Sequence, residues 1–499
     1  MSENSPATDQ GIPPPTESPE KTEEAPVEVS VRRRRLSVSV GDDNRGLFRA
    51  GLATLVVAVI YFVYSAKVEN IFHLYLGLAI IILAAVPGLL WAQGSDNGFP
   101  VFEVFMLTCA NTYAIPLLTG HEKLVLYDDG VLTQAALAII SFQVVAMLAF
   151  YLIKALPKTT HFWTEEMISE EKSRFLAYGM SVTTVYTFVS LFFRVIPAGI
   201  EGPARAVFFG IGIACTFITC RKWGQGTLQK NDRAFFTFNL ILQVIMLTSS
   251  LFLVGGISIL VLGLLGYVAG SRRLPYLALI IFVPIFALLH NGKSQMRAKH
   301  WDIGSTRIGI QDLPGFFTEW ITYGLETEGK KEADTTAKLL ERTSLFHIMC
   351  LVISQTPEKQ PYLFGASYGP IPSQLIPRFF WPDKPTAHIS TSMLAVYYGL
   401  QSAEDTKKTT IGFGMLTEAY ANFGVGGIMG LGFFLGFLFK KLSRWALNSP
   451  TLSYGGILLV MLMAWSFQVE LTMAIWISSF LQACIAMLGI PLLLRSFIG

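Results

Sequence analysis

The stretch "YLALIIFVPIFALLHNGKSQMRAKH", residues 276–300, joins an apolar run to a dense group of charged residues. An apolar run of this length is typical of a helix that crosses a bilayer. If the helix continues at 100° per residue, His290, Lys293, Arg297 and His300 fall within an arc of roughly 80°. The stretch therefore predicts a membrane helix with a basic stripe at its end. This basic stripe either binds an anion or marks where the helix leaves the lipid, and a break at Gly292 would scatter it.

The composition indicates a membrane protein. The chain has 499 residues, of which 52% are hydrophobic and only 15% are charged, whereas about a quarter are charged in soluble proteins. We therefore predict an all-α polytopic membrane protein. The net charge of +3 gives no indication of a nucleic-acid partner. The five cysteines lack metal-binding spacing, and we predict no cofactor and no metal.

Hydropathy predicts about twelve transmembrane helices of roughly 18–25 residues each. They are 47–66, 70–92, 100–119, 132–155, 175–197, 203–221, 233–251, 253–270, 273–291, 412–439, 452–470 and 472–495. Lys and Arg concentrate in every second loop, which predicts that the N- and C-termini are both cytoplasmic. The predicted domains are a disordered cytoplasmic tail over 1–45, transmembrane helices 1–9 over 46–291, a large external loop over 292–411, and helices 10–12 over 412–499.

The large loop has the composition of a folded segment. Residues 292–411 contain 13 Lys or Arg and 12 Asp or Glu, together with several aromatic residues. Within "TTAKLLERTSLFHIMCLVIS", the residues Leu339, Phe346, Met349 and Ile353 share one helical face. This pattern predicts an amphipathic helix that packs on the spans or lies at the membrane interface.

The chain lacks the P-loop, the GxGxxG dinucleotide motif and the HExxH zinc motif. The remaining candidates for chemistry are cations near the predicted outer membrane boundary, whose guanidinium groups suit phosphate because their forked donors bind it bidentately. Snorkelling towards lipid phosphates is the alternative explanation for any one of them. They are Lys293, Arg297, Arg307, Arg342, Arg378 and Lys384.

Two further stretches supply candidate partners for these cations. In "LFGASYGPIPSQLIPRFFWPDKP", residues 363–385, the prolines exclude a regular helix and hold Arg378 next to an aromatic run. In "GFGMLTEAYANFGVGGIMG", residues 412–430, Glu418 lies inside an apolar helix. A carboxylate in that position is costly unless it is paired or functional.

The motifs "GKSQMR" (292–297), "LFGASY" (363–368), "IPRFFWPDKP" (376–385) and "TEAYANFG" (417–424) resemble those of the Wzy-type oligosaccharide repeat-unit polymerases. This family makes O-antigens and exopolysaccharides and is similar to the GT-C group of lipid-dependent glycosyltransferases. The resemblance implies a GT-C-like fold in the bacterial inner membrane. It also implies that an undecaprenyl-diphosphate-linked glycan serves as donor and acceptor at the periplasmic face, where the large loop would lie.

The resemblance also implies roles for individual residues. Lys293, Arg297 and Arg378 would hold the donor diphosphate, with Arg342 and Lys384 as further cations. Glu418 would be the general base or an ion-pair partner, with His300 and His347 as competing bases. Tyr368, Phe379 and Trp381 would line the passage for sugar or lipid. The implied partners are the lipid-linked glycan, the bilayer, a flippase and a chain-length regulator.

Three other functions fit part of the pattern. An O-antigen ligase would use the same donor chemistry with lipid A as the acceptor. A twelve-span transporter of polysaccharide precursors would normally show two six-span halves around a central cytoplasmic loop, whereas the long loop here is late and external. A non-enzymatic assembly protein would tolerate the loss of Arg297 and Arg378.

Overall fold

The computed structural model describes residues 40–94, 98–153, 161–193, 198–251, 253–300, 309–330, 344–376, 380–381, 383–407, 410–445 and 449–493. These residues are predominantly helical. The β-structure found among them is an isolated bridge between Glu166 and Ser453. The all-α prediction is therefore confirmed for the described part of the chain.

The first half of the chain contributes eight long helices, interrupted by short turns such as the 3-10 turns Glu122–Leu126 and Lys172–Phe175. In chain order the helices are α1 (Val40–Ser65), α2 (Ile71–Ala92), α3 (Val101–Leu118, with a π-helical turn at Ala110–Ala114), α4 (Asp129–Leu152), α5 (Leu176–Phe192), α6 (Ala198–Gly224), α7 (Lys230–Ser249) and α8 (Leu253–Ser271).

The second half contains both long and short helices. They are α9 (Tyr276–His300), α10 (Leu313–Lys330), α11 (Leu345–Gln355), α12 (Ile371–Leu375), α13 (Ile389–Tyr397), α14 (Met415–Trp445), α15 (Tyr454–Ser466) and α16 (Met473–Cys484), which continues as a π-helical turn over Ile485–Gly489.

Ten helices in the described part of the chain are long and apolar enough to cross a membrane: α1 to α6, α8, α9, α14 and α16. The predicted spans 233–251 and 452–470 fall on α7 and α15, which are outside this set. The first turns of α7 carry Lys230, Asp232 and Arg233, and α15 has only 13 residues, all of them buried. The multi-pass architecture is confirmed, with ten candidate spans among the described residues against about twelve predicted. Helix α15 falls short in length, and α7 is long enough but too polar to qualify.

The main core forms where α14 packs on α4. Gly432 and Gly436 of α14 lie directly against the backbone of Phe142 and Ala146, so neither position has room for a side chain. Small residues at such positions let helix backbones approach closely. Helices α2 and α3 extend the core formed by α14 and α4, because their buried residues belong to the same hydrophobic cluster.

The described part of the predicted amphipathic helix is α11, and it is more buried than its sequence pattern suggests. Phe346, Met349 and Ile353 are buried on α11 as predicted, whereas Leu339 lies outside the described residues. Ile348 and Val352 are also buried, and α11 packs on α4 and α14. The helix is therefore enclosed by protein on nearly all sides instead of lying at the membrane interface.

Candidate functional site

The residues predicted for the site fall into three separate groups in the structure. The first group belongs to the hairpin formed by α9 and α10. Helix α9 is continuous through Gly292, which lies against the backbone of Trp320 and Gly324 of α10. The basic stripe therefore keeps its helical geometry, and the glycine serves the close crossing of the two helices.

The basic stripe makes contacts within this hairpin and with the chain before α8. Arg297 donates a hydrogen bond from Nη2 to the carbonyl oxygen of Leu251 at 3.0 Å. Near the end of α9, Lys299 and His300 lie 2.5 and 3.6 Å from the carboxylate of Glu319. The hydrogen bond from Lys299 holds the pKa of Glu319 below its usual value. Part of the basic stripe is thus used to join α9 to its neighbours.

The second group forms at residues 361–376, which we call the docked segment. Its first part lies against α14, and α12 within it packs on α16. The backbone N–H groups of Leu363 and Phe364 donate to the carbonyl oxygens of Ala421 and Asn422 at 3.0 and 3.2 Å. These carbonyls are accessible because α14 is kinked at Phe423 and Gly424, where Gly424 has a φ of +63°. The motifs "LFGASY" and "TEAYANFG" are consequently in direct contact.

The side chain of Asn422 is the centre of a buried polar network at this contact. Its Oδ1 accepts from the N–H of Gly365 at 2.8 Å, and its Nδ2 donates to Ser367 Oγ and to the carbonyl oxygen of Glu418, both at 2.7 Å. The hydroxyl of Ser390 on α13 donates to the carbonyl oxygen of Ser367 at 2.7 Å. The network ties three parts of the chain together without any charged hydrogen bond.

Glu418 lies beneath this network and is 0% exposed. Its Oε2 accepts a hydrogen bond from the backbone N–H of Met473 at 2.7 Å. Its Oε1 is buried without a well-formed hydrogen bond to the described residues, although the side chain of Ser367 comes close enough to interact with the carboxylate. Met473 begins α16, so the carboxylate lies at the positive end of a helix dipole.

Tyr368 and Lys384 lie near this network. Burial, and then the charge of Glu418, raise the pKa of Tyr368. Lys384 is only 7% exposed, and its Nζ donates to the carbonyl oxygens of Ile376 at 2.6 Å and of Gln374 at 3.4 Å. Its ammonium group therefore holds the last residues of the docked segment in place through these hydrogen bonds. Trp381 is 41% exposed beside the more exposed Phe380.

His347 forms the third group, together with the turn that precedes α4. Its Nδ1 lies 3.1 Å from the hydroxyl of Tyr127, and its ring stacks on that of His121 with 6.0 Å between the centroids. Burial, followed by the charges of Lys123 and His121, lowers the pKa of His347 to about 4. The imidazole is therefore neutral at neutral pH and can accept or share a proton with Tyr127.

Arg307, Arg342, Arg378 and Phe379 lie outside the described residues. Asn422, which organises the buried network, was not among the residues predicted for the site. Neither were Ser367 and the backbone N–H of Met473. An asparagine four residues after a glutamate in an apolar helix places both on one face, and this spacing was the available signal for the pair. Among the described residues, no group of three or more His, Cys, Asp or Glu side chains could hold a metal ion.

Comparison with known proteins gives one informative result. A family model described as "Domain of unknown function (DUF8712)" matches residues 165–469, which is more than half of the chain and includes the docked segment and α14. No curated protein matches, and no solved structure matches.

Proposed function

Since the chain belongs to the DUF8712 family of unknown function, we propose its activity from its own residues. We propose that it is a membrane glycosyltransferase of the polysaccharide polymerase type. It transfers an undecaprenyl-diphosphate-linked glycan to the next lipid-linked repeat unit, at the periplasmic face of the bacterial inner membrane and without a metal.

One observation carries this proposal. The motifs "LFGASY" and "TEAYANFG", which carry much of the resemblance to repeat-unit polymerases, are separated by about fifty residues in sequence but form a single hydrogen-bonded unit. The unit contains a buried carboxylate and lies at the end of an apolar helix long enough to cross a membrane. A lipid-linked substrate presents its head group at this depth.

In the proposed reaction, fixed cations stabilise the leaving diphosphate. Lys293 and Arg297 bind its oxygens from the end of α9, and Arg378 and Arg342 supply further charge. Because only interactions that strengthen as the bond breaks accelerate the step, the guanidinium groups act on the charge that develops on the diphosphate. The lipid diphosphate departs with the bonding electrons of the anomeric carbon–oxygen bond.

The acceptor hydroxyl attacks the anomeric carbon in a single displacement and loses its proton to a base. Glu418 is the proposed base, with Tyr368 and Trp381 beside the passage of the sugar. Since Glu418 is 0% exposed, proton transfer requires the docked segment to move away from α14. His347 is a weaker base than an ordinary imidazole, because burial lowers its pKa to about 4.

The proposal is tested by substitution in the organism that produces the glycan, with the protein level in the membrane measured for each variant. We expect Arg297→Ala, Arg378→Ala and Glu418→Gln to yield single repeat units in place of polymer. Glu418→Gln is chosen because the amide can still accept the hydrogen bond from the Met473 N–H. It removes the charge and leaves that contact in place.

Lys407→Ala is the matched control, because Lys407 is an exposed cation between α13 and α14 that pairs locally with Glu404 at 2.8 Å. Unlinked full-length polymer in the three test variants would instead identify a ligase. Precursor retained inside the cell would identify a transporter. Unchanged glycan in all three variants would contradict the assignment of the site.

A further inference from the structure

A second group of cations lies where α6 and α8 end, apart from the groups described above. Arg221 is in the last turn of α6, and Arg272 directly follows α8 with a φ of +56°. The two guanidinium groups are close enough to repel each other. The charge distribution of the loops predicts that this end of the bundle is cytoplasmic.

Close packing of α6 and α8 fixes the two arginines in place. Gly266 and Gly270 of α8 lie directly against the backbone of Phe217 and Arg221, and Gly224 of α6 lies against the backbone of Tyr267. No side chain could be added at these glycines without moving a backbone. The helix crossing therefore holds the backbones that carry the two like charges close together.

Each arginine is also held by an aromatic ring. The Arg221 Cζ lies 5.1 Å from the centroid of Phe99, and the Arg272 Cζ lies 4.0 Å from that of Trp91. A ring face stabilises a cation and orients the plane of the guanidinium group. It does not satisfy the N–H donors at the edge of that plane.

Those donors are the observation that points to a ligand. Arg221 Nε and Arg272 Nη1 are buried and have no hydrogen-bond partner, and neither arginine has an ion pair among the described residues. Leaving a charged donor buried and unpaired costs free energy. An anion that accepts from both of these neighbouring arginines removes this cost for the two donors together.

A cavity of about 180 Å³ adjoins Arg221 and gives a ligand room. Its walls include Lys222 and Gln225 and two carboxylates, of which Glu170 is neutralised by its ion pair with Lys222 at 2.6 Å and Glu166 lies on the side of the bridge to Ser453. Arg272 is not part of this wall, so a site that includes both arginines extends from the cavity past Arg221 towards Arg272. Burial also lowers the pKa of Arg272, as expected for a cation that has lost water without gaining a counter-ion.

We propose that Arg221 and Arg272 form a binding site for a phosphate group. The forked guanidinium donors suit the tetrahedral oxygens of a phosphate, which can accept from both arginines at once. The phosphate is either the head group of an anionic lipid or a free phosphate from solution. Both sources present the same oxygens to the two arginines.

The test uses the full chain in phosphatidylcholine nanodiscs, to which inorganic phosphate is added, and in nanodiscs that also contain phosphatidic acid. We expect at least one of these probes to bind and to raise the Tm above that in chloride. Binding of inorganic phosphate identifies a soluble ligand, and binding confined to phosphatidic acid identifies a lipid head group. Either result supports the site.

Variants locate the binding. We expect Arg221→Gln and Arg272→Gln each to weaken binding about tenfold or more, because each loses charge-assisted hydrogen bonds. Arg233→Gln is the matched control, since Arg233 also lies over a ring, that of Trp223 at 5.4 Å, and none of its buried nitrogens lacks a partner. Arg221→Lys and Arg272→Lys provide variants that keep the charge if a glutamine variant does not fold.

Two results would overturn the proposal. One is the absence of binding of either probe to the wild type, or equal binding to the Arg221→Gln/Arg272→Gln double variant. The other concerns Asp96, which lies outside the described residues. If phosphate binds to Asp96→Asn but not to the wild type, that carboxylate is the native partner of the arginines.

Discussion

The docked segment on α14 and the hairpin of α9 and α10 use polar residues in opposite ways. Asn422 and Glu418 are buried and hydrogen-bonded largely to backbone groups. At the hairpin, the side chains of Lys299 and its partner Glu319 are 52% and 26% exposed. The first arrangement stabilises one conformation, because each lost contact leaves a buried group unpaired. The second leaves its charges able to exchange partners with water or ligand.

The largest expected effect concerns the centre of the buried network. Asn422→Ala removes three hydrogen bonds and leaves the N–H of Gly365 without its partner. We expect the free energy for local opening of the docked segment to fall by about 3 kcal/mol. Hydrogen exchange of residues 361–376 measures this change.

Asn239→Ala on α7 is the control for that prediction. Asn239 is also buried, but its side chain donates only one hydrogen bond, to the carbonyl oxygen of Phe235 within the same helix. We expect a smaller loss there and no change in exchange of the docked segment. Equal exchange in both variants would contradict the role given to Asn422.

A comparison of two lysines sharpens the contrast between the two regions. Lys384→Met removes a buried ammonium group that donates to two carbonyl oxygens, and we expect a loss of about 2 kcal/mol in the stability of the docked segment. Lys299→Met removes an exposed ion pair, and we expect no measurable change. Thermal unfolding and proteolysis of the two variants in the same detergent measure the difference. Similar losses would contradict it.

The smallest expected effect concerns His347 and occurs only at acidic pH. The pKa of His347 falls from 6.5 to about 4 on folding, so the folded state binds fewer protons than the unfolded state between these values. The contribution of His347 to the free energy of unfolding is therefore complete above pH 6.5 and is lost as the pH falls towards 4. The intrinsic rate of amide exchange falls when the pH is lowered from 7 to 5. We expect exchange in α11 to slow by less than this intrinsic change.

His347→Asn is expected to remove this dependence on pH, and His388→Asn, at an exposed histidine, is expected to keep it. If α11 of the wild type is equally protected at pH 5 and pH 7 after correction for the intrinsic exchange rate, the contact between His347 and Tyr127 does not depend on a neutral imidazole.

The sequence predicted the helices better than the environment of their polar residues. Periodicity correctly placed His290 to His300 on one continuous helix, because local hydrogen bonding decides that property. It could not show that Lys384 closes the docked segment, since the partners of Lys384 are backbone carbonyls. Backbone groups occur at every position and leave no signal in a sequence.

Long-range contacts account for the other differences. The burial of both faces of α11 depends on α4 and α14, which are far away along the chain, so its apolar pattern could not separate an interfacial helix from an enclosed one. In the sequence, Arg221 and Arg272 only add to the Lys and Arg that concentrate in every second loop. Their proximity results from glycines on α8 that allow α6 to approach.

The kink at Gly424 has a consequence for how this chain can vary. By interrupting α14, it frees the carbonyl groups of Ala421 and Asn422, which then accept the N–H groups of Leu363 and Phe364. These two hydrogen bonds involve only main-chain atoms, so the exposed residue 364 should tolerate substitution except by proline or by a β-branched residue, which its φ of +45° disfavours. Position 363 should accept other apolar residues, because Leu363 packs against the main core. Gly424 has no such freedom, because its φ is positive and the hydroxyl of Tyr362 occupies the space that a side chain would need. Across homologues, we therefore expect Gly424 to be conserved and the side chain at position 364 to vary.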